Sequence, residues 1–199
     1  SALVIGGTAS FHASMGSALA FGLPKLGGGG GGGASWTDIV KTAKGTMSSA
    51  AGAAAKAYMA MNDMADAIGF KQQSGLTAAT IKELEGGNDE NFADVVKDSE
   101  SRMDDLAKAM EEKKEWTAAE KEKMSVAYGK YAFAMVDVGK GVVGVIALTK
   151  QIKDAGKPGL TDLDAINVAK DIPPLASVVA KQGSAVIGFW GKVVKLSKT

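Results

Sequence analysis

The side chains that could carry chemistry are few and poorly placed for it. His12 is the only histidine, so the rest of the chain has no imidazole for acid–base work, for a Ser-His pair or for a metal. Cysteine is absent, which removes disulfides and thiolate metal sites. Acidic residues gather at Asp98, Glu100, Asp104, Asp105, Glu111 and Glu112. Hydrolysis on carboxylates alone needs two shielded ones facing each other, and this cluster reads instead as the wet face of a helix. The Glu-x-x-His pair of di-iron bundles is missing, and with it the commonest enzyme built on such a fold. The glycine run Gly27 to Gly33 lacks the preceding strand and the closing Lys-Ser/Thr of a phosphate loop. No catalytic, cofactor-binding or metal-binding residue is assigned, and enzymatic activity is not expected.

Methionine is the one residue type with a ligand role still open. Met59, Met61 and Met64 form an M-x-M-x-x-M run, and thioethers suit Cu(I). On a helix Met61 and Met64 share a face, but Met59 lies about 160° from Met61. One helix cannot present all three, and flexible core filler is the favoured reading.

The N-terminal stretch points to a compartment. Residues 1–20 carry no charge and end in Ser17-Ala18-Leu19-Ala20; a spacer over 21–35 follows with its glycine run. That order is the end of a secretory signal with an A-x-A-like cleavage site and then a flexible tether. The expectation is a secreted, cell-surface or periplasmic protein. The charged n-region is missing, and Gly6, Gly7, Thr8, Ser10 and His12 interrupt the apolar run. The competing reading is a retained arm whose Leu3, Val4, Ile5, Phe11, Phe21 and Leu23 dock on a neighbouring subunit.

Residues 36–199 form one domain, because no second shift of composition resembles a linker. The net charge of +1 argues against nucleic-acid binding, which needs a strong basic excess. Its distribution is uneven. Residues 71 to 116 hold seven Lys/Arg against twelve Asp/Glu, and residues 117 to 199 hold twelve against seven. These halves are complementary and could steer helices within one molecule or subunits in an assembly; solvated bundle faces explain them as well.

Apolar spacing gives the elements. Trp36, Val40, Ala43, Met47, Ala50, Ala54, Tyr58, Met61, Ala65 and Ile68 step by fours and threes, a helix with one buried stripe. Ser35 is its N-cap and Gly69 its stop. Alanines through its middle invite close approach by a partner helix. A short helix follows Leu76-Thr77 and stops at Gly86-Gly87. The next starts at Asn88, buries Phe92, Val96, Ser99, Met103, Leu106 and Met110, and has Lys113 and Lys114 in its last turn. Thr117-Ala118-Ala119-Glu120 is a capping box. It opens the longest helix, with Met124, Tyr128, Tyr131, Met135, Val138, Val142, Val145, Thr149 and Ile152 inside, up to Gly156. At about 1.5 Å per residue it approaches 57 Å, a rod's length. Asp162 to Asp171 reads as a brief helix ended by Pro173-Pro174. The last helix buries Leu175, Val179, Gln182, Val186, Phe189, Val193 and Leu196, with a second row of Val178, Ile187, Trp190 and Val194. The predicted fold is all-α: an elongated antiparallel bundle of about four main helices with short connecting helices.

Three functions compete on these residues. The first is a non-enzymatic exported subunit of a surface or filament assembly, self-associating through the arm and through Phe189 and Trp190, with other proteins as further partners. The second is a membrane-active, pore-forming-like protein: Tyr131 to Leu148 is apolar apart from Asp137 and Lys140, although two charges inside a span are costly. In a bundle, Lys130, Asp137 and Lys140 form a water-facing stripe instead. The third is a periplasmic carrier of a small ligand or Cu(I). No cofactor is expected.

Overall fold

The computed structural model describes residues 34–71, 81–82 and 92–196. Among the described residues the fold has four long helices, α1 (Trp36–Ala67), α2 (Phe92–Glu112), α3 (Ala118–Ala155) and α4 (Leu163–Leu196), and no strand. The chain is an all-α bundle, and its longest member, α3, has 38 residues.

Local chemistry sets most of the helix ends. Ser35 Oγ accepts from the Asp38 amide at 3.2 Å, and Asp162 Oδ1 accepts from the Ala165 amide at 3.0 Å. Thr117 and Glu120 complete the capping box, the Glu120 amide donating to Thr117 Oγ1 and the Thr117 amide to Glu120 Oε2. The Thr117 amide first, then the Lys113 ammonium and the Thr117 hydroxyl, hold the Glu120 carboxyl below the usual range. Gly69 and Gly156 follow α1 and α3 with φ of 70° and 72°, a left-handed turn that glycine adopts without strain. Thr117→Ala is expected to cost about 1 kcal/mol by loss of the cap, read as a lowered urea midpoint.

Two expected boundaries move. Lys113 and Lys114 lie beyond α2, which ends at Glu112. Lys113 instead ties down the turn into α3: its ammonium reaches Glu120 at 3.0 Å and sits 5.6 Å from the Trp116 ring. Pro173 and Pro174 do not end a helix but lie inside α4. They remove two backbone donors, yet the buried register runs through them unbroken as Ala165, Ile172, Val179, Val186 and Val193, each seven residues on. Packing of that continuous stripe outweighs the local cost. The short helix expected at 76–87 falls outside the described residues except for Ile81 and Lys82, which are helical, with Ile81 buried.

Contacts fix the directions. Ala50 lies against Gly141 and Thr46 against Gly144, while Lys56 pairs with Asp137 and Asp63 with Lys130, so α1 and α3 are antiparallel. Val142 meets Gly183, Tyr131 meets Val186 and Tyr128 meets Trp190, so α3 and α4 are antiparallel too. Tyr58 bonds Ser99 and Asn62 accepts from Arg102, so α2 runs parallel to α1. Three helices therefore point one way and α3 alone runs against them.

The α1–α3 pair is the most extensive, and small residues are the reason. Ala50, Ala51, Ala53, Ala54, Ala55, Ala57 and Ala60 of α1 are all buried. A Cβ on Gly141 would stand 3.2 Å from the Ala50 Cα, a backbone atom that cannot swing aside. Gly139, one turn face away, meets nothing within 4 Å. Gly139→Ala is therefore expected to stabilise α3 by up to about 1 kcal/mol. Gly141→Ala is expected to be destabilising by about 1 kcal/mol net, because overpacking exceeds the propensity gain. Thermal melts of the pair read the opposite signs.

Candidate interaction surface

The bundle interior holds a polar layer. Gln182 Nε2 donates to Tyr58 Oη at 3.3 Å, and Ser99 Oγ donates to the Val96 carbonyl at 2.6 Å. Arg102 donates to Asn62 Oδ1 at 3.1 Å, and Tyr131 Oη donates to the Val186 carbonyl at 3.1 Å. Burial pushes the Tyr58 phenol up to about 12, with the Ser99 and Gln182 bonds pulling the other way. Burial also raises Tyr128 and Tyr131. Neutral, hydrogen-bonded phenols do no acid–base work near pH 7; the layer sets the register of α1, α2 and α4.

An open groove of about 510 Å³ lies where the end of α1 meets the start of α3, lined by residues that include Asp63, Asp66, Glu122, Lys123 and Lys130. The Lys130–Asp63 bridge at 2.6 Å neutralises part of it. No group of three or more His, Cys, Asp or Glu able to hold a metal occurs among the described residues. Met61 and Met64 are buried in the core and Met59 is exposed, so the thioether run is divided between inside and outside.

The outer face of α3 is different in kind. Glu122, Val126, Gly129, Phe133, Val136, Lys140, Val143, Ala147 and Lys150 follow one another by fours and threes, the spacing of a single helical stripe. None of them is buried. Phe133 is 76% exposed, Val126 57% and, on the adjoining row, Ile146 55%. Val143 is exposed and Val136 and Ala147 are half-buried. Gly129 and Gly139 open directly to space. From Val126 to Ala147 this stripe runs about 30 Å with one charge, Lys140.

Of the charged residues expected to face water on α3, Lys130 and Lys140 are exposed and Asp137 is half-buried. Lys130 and Asp137 turn along the α1 boundary, Lys130 to Asp63 at 2.6 Å and Asp137 to Lys56 at 2.7 Å, and Lys140 reaches back to Asp137 at 3.7 Å. Apart from Lys140, the outer positions between Val126 and Ala147 carry no charge. The α3 helix also holds an 18-residue stretch long and apolar enough, by those measures alone, to cross a membrane, and 33% of it is buried.

Phe189 and Trp190, expected at an assembly surface, lie in the α3–α4 packing of one chain. Phe189 is buried with its ring 5.4 Å from Tyr131, and half-buried Trp190 stacks on Tyr131 at 6.1 Å. Their neighbour Ile187 is the exposed apolar residue, at 52%. Leu3, Val4, Ile5, Phe11, Phe21 and Leu23 lie outside the described residues. Comparison with protein families, curated proteins and solved structures finds no match.

Proposed function

We propose that the protein is an exported, non-enzymatic structural bundle that works by associating with further copies of itself. The observation that carries this is the apolar outer stripe of α3, with Phe133 and Val126 in water on a helix whose other faces are packed. A contiguous apolar strip of this kind marks an interaction site, since covering it releases about 25 cal/mol per Å². The signal-like order of residues 1–35 supports export, and the scarcity of catalytic groups supports a binding role.

Light scattering after size exclusion, with electron microscopy, tests the reading on the full chain and on a chain lacking residues 1–34. Dimers or larger species at micromolar concentration are the expected result. A monomer at every concentration overturns it.

Membrane activity is the second reading, favoured by the apolar stretch of α3 that is only 33% buried. Dye release from vesicles at concentrations where the protein is monomeric, abolished by Phe133→Asp, would move the assignment there.

A further inference from the structure

We infer that the outer stripe of α3 is one half of a two-fold seam, in which a second copy of this chain lays its own α3 antiparallel across the first, centred on Val136. This rests on the self-association reading and says where and how the copies meet.

The stripe pairs with its own reverse to within one residue about Val136. Val136 stands fourteen residues from Glu122 and fourteen from Lys150. An antiparallel pairing centred there overlaps the whole stripe, and it sets Glu122 opposite the partner's Lys150 and Lys150 opposite the partner's Glu122. Both are exposed in the single chain. Val126, more than half exposed, then faces the partner's small, half-buried Ala147. A large side chain falls on a small one again where Val143 faces the partner's Gly129, and Phe133 comes beside the partner's Lys140, an ammonium against a ring. Gly129 has room for an incoming side chain, because a Cβ there would meet nothing within 4 Å. Self-complementarity of one patch is what a closed two-fold dimer requires.

The other arrangement on the same stripe is worse. In a parallel, in-register pair Glu122 would meet the partner's Glu122, Lys150 the partner's Lys150 and Phe133 the partner's Phe133, so like charges would oppose and no ring would find a gap. Lys140 is the one charge inside the apolar run. It faces Phe133 of the partner and keeps Asp137 of its own chain at 3.7 Å, so it enters the seam already paired.

The absence of cysteine makes the register directly measurable. A single Val136→Cys sits on the two-fold axis, where two Cα atoms come within the roughly 4.4–6.8 Å that a disulfide needs. Mild oxidation is expected to link most of that variant to itself. Gly129→Cys and Val143→Cys, each off the axis, are expected to link little alone and well when mixed. Phe133→Asp is expected to weaken association at least about 100-fold with an unchanged helical spectrum, since the side chain is 76% exposed. Glu122→Lys and Lys150→Glu are each expected to weaken it several-fold, and the double exchange to restore it.

Equal self-linking at positions 129, 136 and 143 overturns the antiparallel seam, as does a double exchange no tighter than its parents. Association that survives Phe133→Asp but vanishes on deleting residues 1–34 overturns it in favour of the N-terminal arm. In those cases self-association itself stands. A wild-type chain that stays monomeric overturns both proposals together.

Discussion

Above about pH 10 the bundle is expected to lose stability steeply, because the unfolded chain releases phenolic protons that the folded chain retains. The sequence has three tyrosines, and Tyr58, Tyr128 and Tyr131 are all buried. Removal from water disfavours the phenolate, so each titrates above its ordinary value, Tyr58 at about 12. Tyr131 is pushed further by its proximity to Tyr58. Since the folded values are raised, the unfolded state binds fewer protons once the pH passes about 10, and the free energy of unfolding falls. The stability is fully present below that pH and is lost as pH rises through the folded values. Tyr58 alone contributes about 3 kcal/mol across its interval, and all three act in the same direction. Against a typical total of about 5–15 kcal/mol, unfolding comes before any phenol ionises in place.

Helical ellipticity at 222 nm and phenolate absorbance at 295 nm, followed together through a pH titration, are expected to change in one coincident step. Phenolate appearing near pH 10 with the helices intact would show that burial does not hold the protons. Tyr128→Phe makes a clean companion, because burial alone raises Tyr128. Removing it is expected to shallow the pH slope by about a third. The ion pairs add little to this balance, because the ammonium groups of Lys56 on α1, Lys130 on α3 and Lys192 on α4 are half exposed or more, and such pairs carry little stability.

What could be read without coordinates was local. Ser35, Thr117, Gly69 and Gly156 act on backbone groups within four residues, so their types announce helix ends whatever surrounds them. The buried stripes of α1 and α3 could be read too, because a four-three period has only one geometric meaning on a helix. Pro173-Pro174 misleads for the opposite reason: a proline's local cost is visible in the sequence, whereas the stripe from Ala165 to Val193 that overrides it is a tertiary fact. The direction of α2 shows only in its contacts with α1, Tyr58 with Ser99 and Asn62 with Arg102, which no local pattern encodes. The interaction surface was the hardest to see. The α3 helix carries two stripes of the same period, one ending in the core and one in water, and apolarity alone does not say which. Only the placement of α1 and α4 on its other sides does. Phe189 and Trp190 show the same limit, since a row of aromatics and lysines fits an outward anchor as well as an inward ring cluster.

Tyr131→Ala is expected to destabilise the fold by about 3–5 kcal/mol, the largest single effect in the molecule. The last stretch of α4 is a weak helix by composition, with Gly183, Gly188 and Gly191 inside it and Pro173-Pro174 before it, each glycine costing about 1 kcal/mol relative to alanine. Packing must hold it, and Tyr131 supplies much of that packing: a stacked contact to Trp190 at 6.1 Å and an edge contact to Phe189 at 5.4 Å, with its hydroxyl donating to the Val186 carbonyl at 3.1 Å. Tyr131→Phe keeps the rings and is expected to cost only about 1 kcal/mol. Urea midpoints separate the two, and near-ultraviolet dichroism from Trp190 is expected to collapse in the alanine variant alone. Equal losses in both would place the stabilisation in the hydroxyl rather than the ring. Phe133 lies two residues further along the same helix and faces outward, so Tyr131→Phe is expected to leave self-association unchanged while Phe133→Asp removes it and leaves the urea midpoint of the monomer in place. Those two aromatic rings, half a turn apart on α3, thus divide the helix between holding the fold and meeting the partner.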